Sequence, residues 1–108
     1  MMRKNNVNME GILIRRIQEA YALDSFHHAR MLWQNGDIDG ALEELDAATI
    51  FHPSNPEAFV LRGILLAKKG RKMSAQNEIR FALTLGGKRW KYAPLVRETL
   101  KKVEGSAA

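Results

Sequence analysis

The sequence predicts an all-α fold: an α-solenoid of two helix–turn–helix units with one helix before them and one after. Three observations carry this expectation. Shifted by 34 residues, the chain lands on itself without a gap. Glycine or proline separates the candidate helices in both copies, and the apolar residues of the two flanks recur at helical spacing.

Taken in order, residues 1–8 are polar and expected to be disordered. From 9 to 23, Leu13, Ile17, Ala20 and Tyr21 mark an N-terminal helix, with Asn8 as a candidate cap. No proline or glycine separates it from the first repeat unit. It either runs on to Asn35 as one long helix or breaks softly at Asp24-Ser25. The first unit covers 22–55. Its first helix spans about Asp24 to Asn35, Gly36-Asp37 makes the turn, and Asp37 caps a second helix that ends near Phe51, before His52-Pro53-Ser54-Asn55-Pro56. The second unit covers 56–89. Pro56 suits a first helical turn. The helices are about Glu57–Lys69 and Met73–Leu85, with Gly70-Arg71 between them and Gly86-Gly87 after. A last helix over 94–104 opens at Pro94. Leu95, Leu100 and Val103 form its apolar stripe and Arg97, Glu98, Lys101 and Lys102 its wet side, which suits a cap on a helical stack. Residues 105–108 read as a frayed tail.

The coincidences under the shift predict the core. Ala29 falls on Gly63, Leu32 on Leu66, Ala41 on Ala75, Leu45 on Ile79, Ala48 on Ala82 and Phe51 on Leu85. Small residues at 29, 63, 41 and 75 let paired helices approach, and the larger ones fill the space between. With Gly36 on Gly70, Phe59 and Pro53, this pattern resembles the tetratricopeptide repeat. Ser25, where the family prefers an aromatic, His28 and Arg62, where it prefers leucine, and Gly87, where proline is usual, depart from it.

The composition narrows the chemistry. No cysteine is present, which removes disulfides, thiolate metal sites and thiol nucleophiles. His27 and His28 are adjacent and point about 100° apart on a helix, and no i, i+4 histidine pair exists, so no metal site is expected. The carboxylates of Asp37, Asp39, Glu43, Glu44 and Asp46 fit a helix start and a solvated face better than an acid pair. No catalytic residue, cofactor or enzymatic activity is expected. The chain has no apolar run of membrane-spanning length and no signal-like segment, and is read as cytoplasmic.

Charge is lopsided. Residues 1–54 carry five Lys/Arg and eight Asp/Glu, net −3; residues 55–108 carry twelve and four, net +8. Lys68, Lys69, Arg71 and Lys72, and Lys88, Arg89, Trp90 and Lys91, form two basic clusters. If they lie near one another at the unit ends, they can hold phosphates and stack a base.

Phe26, Arg30 and Trp33 stand at i, i+4, i+7 and share a face that the core does not claim. The resemblance implies a concave groove lined by the first helix of each unit: Leu23, Phe26, Arg30 and Trp33, then Glu57, Val60, Ile64 and Lys68. Val60 and Ile64 stand where a carboxylate clamp of this family would need polar groups. The implied ligand is therefore a hydrophobic helix or extended segment of another protein. The expected function is that of an adaptor, scaffold or chaperone-like protein, similar in architecture to the small tetratricopeptide chaperones of bacterial type III secretion. A structural subunit of a self-associating or hetero-oligomeric assembly and a nucleic-acid binder acting through the basic half are the alternatives. Whether the N-terminal helix covers the groove is open at this point.

Overall fold

The computed structural model describes residues 2–105, with side chains from residue 9 onward. The expectations for residue 1 and for 106–108 lie outside the described residues. Residues 2–8, expected to be disordered with Asn8 as a cap, instead belong to α1, so the helix starts before Asn8. The described residues form five helices: α1 (Met2–Gln34), α2 (Ile38–Phe51), α3 (Pro56–Lys68), α4 (Lys72–Gly86) and α5 (Ala93–Glu104). The spacing in the sequence places α2 to α5 within a few residues of these bounds.

Each boundary has a local cause. Gly36 and Gly70 adopt φ of 86° and 80°, which only glycine takes without strain, and they end α1 and α3. Asp37 then caps α2: Gly40 N donates to its Oδ1 at 2.9 Å. Asn55 caps α3 by accepting from Glu57 N at 3.1 Å, with Pro56 in the first turn. At the start of α4, Arg71 occupies the matching place and makes no side-chain cap.

α1 is a single 33-residue helix, about 50 Å long at about 1.5 Å per residue. Nothing breaks it at Asp24-Ser25, and Ser25 is buried. Among its described side chains, those buried against the rest of the protein lie in its C-terminal part, from Ala22 onward. Residues 9–18 are exposed without exception, and this projection stretches the molecule to 60 × 32 × 20 Å.

The helices pack in pairs, α1 with α2 and α3 with α4; α2–α3 and α4–α5 contacts join them. Two apolar clusters hold the arrangement. Ala29, Ala41, Leu45, Ala58, Leu61 and Leu65 form the first. Leu66, Ala75, Ile79, Val96 and Val103 form the second. α3 serves both, Leu61 and Leu65 facing one cluster and Leu66 the other. Leu45, Leu65 and Ile79 are fully buried, each worth about 1.5–3 kcal/mol relative to an exposed side chain. The small residues are where helices touch. A Cβ on Gly63 would lie 2.6 Å from Ile79 Cγ1 and 3.0 Å from the Ala75 carbonyl oxygen.

Two expectations need correction. Phe51 is exposed rather than core; its ring lies 4.8 Å edge-on from Tyr21 of α1. In α5 the inward positions include Val96 and Val103, whereas Leu95 is 66% exposed. The stripe of α5 thus runs Val96, Leu100, Val103, at i, i+4, i+7, one residue away from its expected start.

The polar departures at 28 and 62 are also built in. His28 Nδ1 lies 3.2 Å from Glu44. Thirty-four residues on, Arg62 Nε lies 3.4 Å from Glu78. Arg62 also reaches Asp46 at 2.9 Å and donates to Thr49 Oγ1 at 3.4 Å, so it ties α3 to both α2 and α4. Burial pushes the Glu78 carboxyl above its ordinary value; the Arg62 guanidinium opposes the shift and the Asp46 carboxylate adds to it.

Candidate functional site

A groove opens where α1, α3 and the start of α5 come together. Its wall on α1 is Phe26, Arg30 and Trp33. On α3 it is Glu57, Val60, Leu61 and Ile64, and on the α5 side Trp90, Tyr92, Leu95 and Val96. The i, i+4, i+7 spacing on α1 puts its three residues on one face, as expected, but the core does claim part of that face: Phe26 and Trp33 are half-buried against the first apolar cluster. Glu57, Val60 and Ile64 follow the same rule on α3.

The third wall was not expected. It depends on the turn after α4. Gly87 at φ 77° redirects the chain, and Ala93 N donates to the Trp90 carbonyl at 2.9 Å. Trp90 folds back over Gly86, so closely that a Cβ there would overlap the indole. Trp90 and Tyr92 stand edge to face with centroids 6.1 Å apart. Leu95 turns toward the groove because Val96, its neighbour, takes the inward place.

The groove is apolar, with Arg30 and Glu57 as its charged lining residues. Neither side chain has an ion-pair partner among the described residues. Its cavity of about 230 Å³ is below the about 300–1,000 Å³ typical of small-molecule and cofactor sites. Such a volume takes one or two large side chains of something laid along an open trough.

Two residues expected in this lining are placed elsewhere. Leu23 borders a separate, more polar depression with Arg16, Glu19, Ala20, His52, Asn55 and Glu57. One helical turn before Phe26, it lies where α1 leaves the body. Lys68 is not part of the wall; its Nζ stands 6.0 Å from the centre of the Trp33 ring, at the outer limit of a cation–π contact.

The basic clusters are not brought together. Lys69, Arg71 and Lys72 lie at the N-terminal end of α4, and Lys88, Arg89, Trp90 and Lys91 follow its C-terminal end. The fifteen residues of α4 hold them about 20 Å apart. Within the clusters, Lys69 pairs with Asp39 at 3.0 Å, Lys91 lies over the Tyr92 ring at 4.9 Å, and Trp90 packs against the second apolar cluster. Among the described residues no group of three or more His, Asp or Glu is placed to hold a metal ion, and no helix is long and apolar enough to cross a membrane.

No protein-family model matches the chain, and no curated protein is significantly similar to it.

Proposed function

We propose that this protein is a tetratricopeptide-type binding module, and that the groove between α1, α3 and α5 holds an apolar helix or segment of a partner protein without catalysing a reaction on it. One observation supports this reading above the rest: three chain segments contribute Phe26, Trp33, Val60, Ile64, Trp90 and Leu95 to a single open trough. Bulky apolar and aromatic groups flanked by an arginine are the residue types that anchor protein interfaces. The long α1 does not fold back over the trough, so the groove is open to a ligand. An amphipathic helix suits an apolar trough of this kind, its polar side meeting Arg30 and Glu57. In an adaptor or chaperone, such a trough would shield an aggregation-prone segment.

The test is capture of partners by tagged protein, wild type against Leu95→Glu. Leu95 is exposed, so the substitution places a charge in the trough without disturbing the core. The expected result is loss of a stoichiometric protein partner with an unchanged melting temperature. Equal capture by both proteins would overturn the proposal.

A further inference from the structure

The projecting half of α1 carries a second apolar surface, distinct from the groove and from the internal contacts of the fold. Met9, Ile12, Leu13, Ile14 and Ile17 are 68, 50, 60, 57 and 60% exposed. Tyr21 and Leu23 continue the surface toward the body, also more than half exposed. At about 100° per residue, positions 9, 12, 13, 14 and 17 cover about 200° of the helix circumference. Arg16, between Ile12 and Met9, and Glu10, between Ile17 and Ile14, fall within that arc, so the face is an apolar stripe with two charges interleaved. An amphipathic helix ordinarily packs such a stripe against a partner.

The surface does not belong to the α1–α2 contact. The side of α1 that meets the rest of the protein is marked by Ala22, Ser25 and Ala29, all buried. Followed back along the helix at the same three- and four-residue steps, that side becomes Gln18, Arg15 and Gly11. The inward stripe therefore turns polar or bare where the body ends, and the large apolar residues stand on other faces. A helix that was merely overlong would not change faces in this way.

We infer that residues 9–23 form a self-association arm, and that its apolar face is covered by the same arm of a second copy of this chain. The area suits a dimer. Seven large side chains, each leaving roughly 100 Å² exposed, offer roughly 700 Å² per chain. A standard interface takes about 800 Å² from each partner, and monomers rarely leave so large an apolar patch open. Charge permits like to meet like. Glu10, Glu19, Arg15 and Arg16 make this segment neutral, within a chain of net charge +5. A two-fold contact between identical faces also closes on itself, which leaves no further arm to recruit more copies. The groove lies outside this contact, so the inference does not rest on the proposed function.

The test is solution mass by sedimentation equilibrium over a dilution series. Wild type should approach about 24 kDa, twice the 12.2 kDa chain, and dissociate on dilution. The double variant Leu13→Glu/Ile17→Glu should stay at the monomer mass. Both side chains are exposed, so its thermal transition should remain cooperative. Leu95→Glu, which alters the groove, should dimerise like wild type. A monomeric wild type at every concentration would overturn the inference, whether or not the arm binds another protein or a vesicle. A dimer that survives the arm substitutions, or one lost through Leu95→Glu, would overturn it equally, by placing the contact elsewhere.

Discussion

Replacing Gly63 with alanine tests how closely α3 and α4 are packed. In an exposed helix the change would stabilise, because glycine costs about 0.5–1 kcal/mol relative to alanine. Here the new methyl would sit 2.6 Å from Ile79 Cγ1 and 3.0 Å from a backbone oxygen of α4. Ile79 is fully buried and β-branched, so it cannot swing away. Overpacking costs typically about 1–3 kcal/mol. The balance is a loss of about 0.5–2 kcal/mol, or roughly 2–9 °C in melting temperature for a domain of this size. Chemical denaturation read by circular dichroism measures it. Gly11→Ala is the control, since nothing lies within 4 Å of the Cβ it would add; it should gain stability where Gly63→Ala loses it. The first pair supplies a rescue, because there alanine at 29 coexists with leucine at 45. Gly63→Ala combined with Ile79→Leu should recover most of the loss, since leucine has one γ carbon and can turn it aside. A Gly63→Ala variant as stabilised as Gly11→Ala would refute the claim that a small residue at 63 sets the α3–α4 approach.

Two further predictions concern polar groups. Asp37→Ala should cost about 1 kcal/mol by removing the cap on Gly40 N, and Arg71→Asp should gain a similar amount by supplying the cap that α4 lacks. Thermal melts of the two variants should move in opposite directions. For Glu78, the folded carboxyl is pushed up from its ordinary value of 4.5, so the folded chain takes the proton more readily than the unfolded one. Its ionised form therefore costs stability above the folded value, and that cost fades as pH falls through the folded value toward 4.5. Glu78→Gln should be more stable than wild type near neutral pH, with the difference closing on acidification. A difference that widens in acid would reverse the sign and contradict the burial argument.

The parts legible in the sequence are those written in local chemistry. Gly36, Gly70, Asp37, Asn55 and Pro56 fix helix ends within a turn of themselves, and the shift of 34 identifies Ala29, Gly63, Leu45 and Ile79 as facing positions. What escaped depends on which of two adjacent apolar residues turns inward. Leu95 and Val96 are both apolar, and only the packing of α5 on α4 decides that Val96 is core and Leu95 faces the groove. Trp90 reads as part of a basic cluster because its lysine and arginine neighbours are visible in sequence, whereas its contact with Gly86 is not. The separation of the two basic clusters follows from the length of α4, which the sequence already contains. The pairing of 28 with 44 and of 62 with 78 is likewise present there, because His28 falls on Arg62 and Glu44 on Glu78 under the same shift. The outer arm of α1 shows helical spacing in sequence, but an apolar face looks the same whether its partner is in the chain or outside it.

Binding in the groove is tested by capture of protein partners at about 1 M salt, where charges are screened beyond about 3 Å. Wild type, Leu95→Glu and Leu13→Glu/Ile17→Glu should be compared side by side. A stoichiometric protein should survive the salt, be lost with the groove variant and be retained by the arm variant. Capture that persists with Leu95→Glu, or that consists only of nucleic acid released by salt, would contradict binding in the groove.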